Sequence, residues 1–212
     1  IILKRFAEAA YRRPLREGEL DGLVGFVTLV EGMGDSWDVG IGIALEKILT
    51  SPHFIYRMEY GADISGTGPQ PLTAFELASR LSYFLWSSMP DEELFQRAQD
   101  GSLLNHDVLR AQASRMLSDP KAEALVQNFA GQWLHINAID DAFPDVWYFP
   151  DFDEQLRESM KGEMQHFVRS LLFQDRSLLD LLNSENGWVD ARLASHYGID
   201  DFSGDGFQEV WL

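Results

Sequence analysis

The sequence predicts an all-α protein, and three observations support that prediction. Apolar residues recur at intervals of three and four along most of the chain, as on the buried side of a helix. Residue pairs that are typical of helix starts precede several of these stretches. No stretch of useful length alternates polar and apolar residues as a half-buried strand does. We therefore expect an irregular multi-helix bundle, with a small N-terminal helical unit packed on a larger C-terminal helical unit.

Residues 1–60 are predicted to form the small helical module. Apolar residues recur at helical spacing at the start of the chain and again over 19–31, on one stripe. Pro14 separates the two helices because a proline inside a helix removes a hydrogen bond and clashes with the preceding turn. Further helices are expected after Asp35 and after Ser51, an N-cap residue that a proline follows.

Residues 61–71 (GADISGTGPQP) are predicted to be a linker, because Gly, Ser and Pro cluster there without apolar periodicity. The larger helical domain, residues 72–212, follows it. Thr73 and Glu76 are expected to form a capping box, in which a hydroxyl and a carboxylate each accept a hydrogen bond from a free backbone amide. The apolar residues of that first helix are expected to face inward: Leu77, Leu81, Phe84 and Leu85.

Two helices are predicted next, one beginning at Pro90 and one capped by Asn105, and a long central helix follows them. Asp119, followed by a proline, has the residue type of an N-cap, and apolar residues then recur at helical spacing as far as position 134. The stripe is wide and includes Phe129 and Trp133. A helix with so broad an apolar side is expected to lie at the centre of the core.

The longest helix is predicted to start at a second capping box, made by Asp151 and Glu154. Apolar residues remain in register along it to position 172. Two short helices are then expected, near 178–182 and 191–197, and Gly198 is the residue type that ends a helix in the left-handed conformation. No further element is predicted in the remaining residues.

The composition excludes several classes of partner. Asp and Glu number 34 against 17 Lys and Arg, so the formal charge is -17 at pH 7, which repels nucleic acid and anionic lipid. No apolar run approaches the roughly 20 residues that span a bilayer, so we expect no membrane insertion. There is no Cys, which excludes disulfides, thiolate catalysis and covalent haem attachment within this sequence. Because the chain starts at Ile1 inside a helical pattern, we expect it to be a piece of a longer polypeptide.

Several phrases together carry a resemblance to a known group of domains. They are AYRRPL (10–15), SPHFIYRME (51–59), LTAFELASRLSYFLWSSMPDEEL (72–94), NFAGQWL (128–134), DRSLLDLL (175–182) and RLASHYGI (192–199). They resemble uncharacterised helical domains of planctomycetes and related bacteria, which occur inside large multidomain chains that commonly also carry a cytochrome-c-like domain. The resemblance covers nearly the whole chain, as a smaller N-terminal module followed by a larger one.

The resemblance implies a cellular context and supplies no catalytic residue. Because covalent haem c is assembled outside the cytoplasm, the implied location is extracytoplasmic, either periplasmic or secreted. The implied partners are neighbouring domains of the same polypeptide, with a link to electron transfer. We expect no cofactor within this segment and haem c in a neighbouring domain.

Glu163 and His166 are the first candidate site. They stand three positions apart on one helix, which is half of the ligand set that a di-iron helical bundle uses. A complete site needs a second such pair and two further Glu residues, and the sequence contains no second ExxH. A structural or solvated pair is therefore the interpretation that we weigh against a metal site.

The stretch 201–209 is the second candidate, because oxygen-bearing residues alternate with others around a glycine, as at the start of a calcium loop. The residues concerned are Asp201, Ser203, Asp205 and Glu209. Position 212, where the loop would need a bidentate Glu, holds Leu212. An ordinary acidic turn is the alternative interpretation.

The third candidate is an acidic and aromatic loop over 138–154. Aromatic rings beside carboxylates can bind a sugar or, with a general acid and base, hydrolyse a glycosidic bond. The alternative is that the aromatic residues fold back as a lid on the core while the acids stay in water, and we favour it because large loop aromatics usually pack. The candidate ligand residues are Asp140, Asp141, Asp145, Trp147 and Tyr148.

No complete catalytic motif is present, neither a GxSxG, a P-loop, a GxGxxG nor an HExxH. His53 and His196 lie in phrases that carry the resemblance, but neither has a nucleophile at a recognisable spacing. The leading interpretation is a non-catalytic interaction or scaffold module. The alternatives are a metal-dependent oxidoreductase, a hydrolase of extracellular polymer, and a carbohydrate-binding module.

Overall fold

The computed structural model describes residues 1–61 and 68–212. Residues 62–67, the middle of the predicted linker, lie outside the described residues. The all-α prediction is confirmed, because 62% of the described residues are helical and 4% are in strands. Contacts divide the chain into two compact units, residues 1–115 and 116–212. The domain boundary that the sequence predicts at 61–71 stays a prediction.

The described residues of the first unit are mainly helical. The helices are α1 (Ile2–Tyr11), α2 (Glu19–Gly32), α3 (Trp37–Leu49), α4 (Pro52–Ile55), α5 (Ala74–Trp86), α6 (Glu92–Gln99) and most of α7 (His106–Leu117), with a 3-10 turn at Ser102–Leu104. Buried residues of α1, α2 and α3 form one hydrophobic cluster. α2 and α3 approach closely at Gly40, where a Cβ would touch the side chain and backbone of Val27.

Two predicted helix starts in this unit are confirmed by their hydrogen bonds. The hydroxyl of Ser51 accepts from the amide of His53, and α4 begins there. Thr73 and Glu76 form the reciprocal capping box of α5. One expectation for α5 is wrong: Phe84 is 53% exposed, whereas Ala78, Ser82, Leu85 and Trp86 are buried. The buried stripe is therefore turned from the predicted one and includes Trp86 instead of Phe84.

The second unit is less regular. Its elements are a 3-10 turn (Pro120–Ala122), a π-helical turn (Leu125–Ala130), α8 (Gly131–Trp133), a 3-10 helix (Ile136–Asp141), α9 (Glu154–Phe173), α10 (Asp180–Asn183), β1 (Asn186–Val189), α11 (Ala191–Tyr197) and β2 (Gln208–Trp211). Its larger cluster joins α9, β1 and α11, and its smaller one joins α9 to the π-helical turn. α9 therefore contributes to both clusters.

Two expectations for this unit need correction. The predicted central helix is helical from 120 to 133, but its backbone changes between 3-10, α and π geometry, and Phe129 and Trp133 are 44% and 57% exposed instead of buried in the core. The two rings stack on each other at 5.7 Å. The N-cap of α9 is Asp153, whose carboxylate accepts from the amide of Leu156 at 2.7 Å, and not the predicted Asp151.

A small antiparallel sheet was not expected from the sequence. β1 and β2 pair over four residues each, with Gly187 opposite Val210 and Trp188 opposite Glu209. The strands are too short for alternation to be recognised in the sequence. Within residues 1–61 and 68–212, no helix combines the length and the apolar character that crossing a membrane requires.

Candidate functional site

The pair of α9 residues that the sequence singled out is placed against the end of the second unit. Glu163 Oε2 accepts a hydrogen bond from the hydroxyl of Tyr197 on α11 at 2.8 Å. Its other oxygen faces Gly187 of β1, close to where a Cβ on that glycine would stand. The carboxyl group therefore lies between a tyrosine and a strand backbone.

His166 is part of a ring stack. Its Nδ1 donates to the carbonyl oxygen of Gly162, one turn earlier, at 2.9 Å, because a carbonyl can only accept. The imidazole lies against the ring of Phe207 with centroids 4.5 Å apart, and Trp188 is 5.7 Å away. Phe207 in turn covers Gly162, where a Cβ would overlap the phenyl ring. The imidazole thus has one nitrogen and one face occupied by the protein.

Burial controls the acid–base properties of this pair. Burial raises the pKa of Glu163, and the hydrogen bond from Tyr197 opposes that rise only in part. Burial, together with the neighbouring carboxylate, raises the pKa of Tyr197 to about 12. Across the part of the chain that the structure describes, no group of three or more His, Asp or Glu side chains is close enough to hold a metal ion. Glu163 and His166 therefore stand there without a third ligand.

The calcium-like turn is not assembled as the sequence pattern suggested. Asp201, Ser203 and Asp205 are exposed to solvent. Glu209 lies on β2, where its carboxylate pairs with Arg176 and accepts from the side-chain amide of Asn186. Glu209 thus belongs to a structural ion pair on β2, and it does not act together with the three exposed residues of the turn.

The loop before α9 is the most exposed apolar surface of the second unit. We call residues 142–150 the aromatic segment. The expected lid is wrong: the segment's large side chains are exposed and do not cover the core. Their exposed fractions are Phe143 85%, Val146 73%, Trp147 90%, Tyr148 76% and Phe149 60%.

Two arginines fix the ends of the aromatic segment. Arg157 of α9 is 8% exposed and donates to the carbonyl oxygens of Ile139 and Ala142, the latter at 2.8 Å. Its guanidinium also lies over the Phe143 ring, 5.7 Å from the centroid. Arg192 of α11 donates to the carbonyl of Asp151 and reaches the Asp153 carboxylate at 3.2 Å. The loop is thus tied at both ends to helices of its own unit.

The tip of the aromatic segment is a compact turn. The carboxylate of Asp145 accepts from the amide of Trp147 at 2.8 Å. The carbonyl of Asp145 accepts from the amides of Tyr148 and Phe149 at 3.0 and 2.9 Å. Aspartate commonly organises turns in this way. Asp145 therefore sets the backbone that presents Trp147 and Tyr148 to solvent.

The other two acids of the candidate loop differ in their surroundings. Asp140 forms an ion pair with Lys161 of α9 at 2.9 Å. The hydrogen bond from Lys161 to Asp140 is the main reason why the pKa of Lys161 is raised. Asp141 is exposed. Asp140 thus forms an ion pair, Asp145 organises a turn and Asp141 is exposed to solvent.

Sequence reasoning missed the buried arginines. Arg12 ends α1 in a left-handed conformation, with φ 57°, and is 6% exposed. It donates to the carbonyls of His53 at 2.6 Å and Tyr56 at 3.0 Å, and also reaches Phe54 and Tyr83. No local signal marked Arg12, because Glu8 stands four residues before it, where the partner of an ordinary surface ion pair would be.

Arg13 and His53 complete the polar cluster of the first unit. Arg13 makes a bidentate ion pair with Glu19, and its hydrogen bond lowers the pKa of Glu19 to about 2. The imidazole of His53 lies 5.4 Å from the Tyr11 ring, and burial followed by the charge of Arg13 lowers its pKa. His196 is exposed beside Tyr197. The histidines of the two family phrases thus sit in different environments.

Comparison with known families agrees with the phrases quoted above. Residues 1–59 match PSD5, a protein of unknown function (DUF1595), and residues 72–199 match PSD4, a protein of unknown function (DUF1592). Neither a curated protein nor a solved structure matches the chain. The PSD5 match lies within the same chain, before the PSD4 match. Because the PSD4 match covers more than half of the sequence, the chain belongs to the PSD4 family of unknown function.

Proposed function

We propose that this chain is a non-catalytic interaction module of a large extracytoplasmic protein that also carries a cytochrome-c-like domain. In this proposal the binding surface is the aromatic segment, and the partner is a neighbouring domain of the same polypeptide. The module contains no cofactor of its own, and haem c belongs to the neighbour. A module of this kind would fix the position of an electron-transfer domain.

The observation that carries the proposal is a set of exposed aromatic rings on a backbone that is held in place. Trp147 and Tyr148 are 90% and 76% exposed. Trp and Tyr are the residue types that contribute most to protein–protein binding when a partner covers them. Exposed apolar patches of this kind mark interaction sites in folded proteins. The hydrogen bonds that Arg157 donates and that Asp145 accepts reduce the entropy that the loop would lose on binding.

The test is association between this chain and the remainder of its parent polypeptide, expressed separately and mixed in a calorimeter. The double variant Trp147→Ala/Tyr148→Ala is expected to weaken binding at least about a hundredfold, the usual cost of removing two hot-spot side chains. The matched control is Leu182→Ala, because Leu182 is exposed to a similar extent, 87%. Unchanged binding by the double variant would remove the proposal.

A carbohydrate-binding module is the second candidate, and the same exposure favours it. Flat rings that face water can stack on a sugar, and Asp141 offers an exposed carboxylate near them. Titration with a panel of soluble polysaccharides, monitored by tryptophan fluorescence, distinguishes the two candidate functions. Saturable quenching that Trp147→Ala abolishes would support the sugar. Binding to the parent polypeptide without any such quenching supports the protein partner.

A further inference from the structure

The first unit has an apolar surface of its own, on the outer side of α2. The inner side of this helix buries Leu23 and Val27 in the cluster with α1 and α3. On the outer side, Val24, Leu29 and Met33 are exposed by 48%, 54% and 73%. A helix that is apolar on both sides is typically covered on both. In the part of the chain that the structure describes, the outer side is open.

These outer residues line a shallow groove along α2. The groove is formed by Asp21, Val24, Gly25, Thr28, Leu29, Gly32 and Met33. The groove runs from Asp21 to Met33, which is about 18 Å, or about three turns, at the rise per residue of an α-helix. It is therefore long enough to receive a partner helix of three to four turns.

The two glycines of the groove have no packing reason within the described chain. A Cβ at Gly25 or at Gly32 would meet no atom within 4 Å. Gly25 lies in the interior of α2, where glycine is destabilising relative to alanine because it loses more backbone freedom on folding, whereas Gly32 is the last residue of the helix. Glycines on one helix face let a second helix approach closely. The open floor of the groove is thus suited to close backbone contact with another helix.

The charge around the groove selects the kind of partner. α2 contains acidic residues and neither Lys nor Arg, and Asp21, Glu31 and Asp35 are exposed along its length and beyond its end. The nearest cation on α3, Lys47, lies over the Phe26 ring at 3.7 Å. A second copy of this face would bring acids against acids, and an anionic membrane would be repelled. A basic helix would be attracted.

We propose that the outer side of α2 is a docking groove for a basic amphipathic helix of another protein or domain. The partner helix places apolar residues at i, i+4 and i+7 between Val24, Leu29 and Met33. Its Lys or Arg residues flank that stripe and lie near Asp21, Glu31 and Asp35. This is the helix-in-groove mode of recognition, with an acidic rim that gives orientation and speeds association. The proposal concerns the first unit and does not depend on the aromatic segment.

The probe is a fluorescein-labelled 15-residue peptide of Leu and Lys in helical register, titrated with the whole 212-residue chain and followed by anisotropy. Two matched peptides accompany it: a Leu/Lys peptide of the same composition in scrambled order, and a Leu/Glu peptide in the same register. The amphipathic Leu/Lys peptide is expected to bind at least tenfold more tightly than either. Equal binding by the scrambled peptide would reduce the result to non-specific charge attraction and overturn the proposal.

The variants then locate the site. Gly25→Gln and Leu29→Gln are each expected to weaken peptide binding at least tenfold, while Leu182→Gln and Trp147→Ala leave it unchanged. Because a side chain at position 25 meets open space, Gly25→Gln is expected to keep or raise the thermal midpoint, which shows that the fold is intact. Wild-type binding by Gly25→Gln and Leu29→Gln, or self-association of the chain that Leu29→Gln abolishes, would contradict the proposal.

Discussion

Arg12 and Arg157 are two buried arginines that do the same work in different surroundings. Each donates hydrogen bonds to backbone carbonyls of a segment that is not part of a long helix or strand. Arg12 binds carbonyls of residues 53, 54 and 56, and its guanidinium also lies 5.7 Å from the centroid of the Tyr83 ring on α5. Arg157 binds carbonyls of residues 139 and 142, where the exposed aromatic segment begins. Arg12 thus connects α1 to two other parts of its unit, whereas Arg157 holds an exposed loop against its own helix.

The largest effect is expected from Arg12→Met. This change leaves the carbonyls of His53 and Tyr56 without their donor in a partly buried position, and it should reduce the free energy of unfolding by about 3 kcal/mol. Urea unfolding measures the loss. The control is Arg5→Met on α1, where the side chain is exposed and little change is expected. A loss below about 1 kcal/mol would show that water replaces the guanidinium.

Gly162→Ala should come second. The added methyl group would overlap the Phe207 ring, and overpacking of this kind typically costs about 1 to 3 kcal/mol. The double variant Gly162→Ala/Phe207→Leu should recover part of the stability, because the smaller side chain leaves room. Gly162 thus tests the side of α9 that faces Phe207, the residue before β2. Equal melting of wild type and Gly162→Ala would mean that Phe207 is free to move away.

Arg157→Met should cost less stability than Arg12→Met, about 1 to 2 kcal/mol, because its carbonyl partners can turn to water when the aromatic segment loosens. Its effect on binding should be larger than its effect on folding. Association with the parent polypeptide is expected to weaken about tenfold, since the loop must then be ordered during binding. The comparison variant is Arg157→Lys, which keeps the charge and loses the fork. If Arg157→Met bound at the wild-type level, the aromatic segment would not need Arg157 for binding.

Acid should affect the two units in opposite directions. The pKa of Glu19 is lowered to about 2, so its contribution to stability is fully present above its ordinary pKa of 4.5 and is lost as the pH falls toward 2. The pKa of Glu163 is raised, so its contribution is full below 4.5 and is lost as the pH rises through the folded-state pKa.

The corresponding variants show which carboxyl group is responsible. Glu163→Gln should raise the thermal midpoint at pH 7, by about 2 °C for an effect below 1 kcal/mol, and leave it unchanged at pH 3. Glu19→Gln should lower the midpoint at pH 7 and have less effect at pH 2. Thermal melts of both variants from pH 2 to pH 8 check the two signs. Parallel profiles for wild type and Glu163→Gln would contradict the direction given for that group.

The local parts of the fold could be predicted from the sequence, because the responsible groups are near one another in the chain. The capping box of Thr73, the N-cap at Ser51 and the left-handed Gly198 that ends α11 are of this kind. The family phrases indicated the domains that the comparison found. Sequence signals predicted the structure where one or two turns of backbone determine the hydrogen bonds.

The candidate site could not be predicted in the same way, because its contacts join residues that are distant in sequence. Tyr197 reaches Glu163 only after α11 has packed on α9, and Arg157 meets the carbonyl of Ala142 only after the loop has folded. The exposure of Trp147 was also hidden, since an aromatic residue in a loop usually packs. Burial and partner choice of these groups depend on tertiary structure, which the local pattern does not contain.

The proposed role of the aromatic segment is tested most directly by a photo-cross-linking residue at position 147 of the full-length parent polypeptide that we propose, with position 182 as a similarly exposed control. Irradiation and mass spectrometry then identify what lies against each position. The proposal predicts that position 147 cross-links to one defined surface of a neighbouring domain, that Arg157→Met weakens this cross-link, and that position 182 gives none. Cross-links from position 147 that are no more frequent than those from position 182 would contradict it.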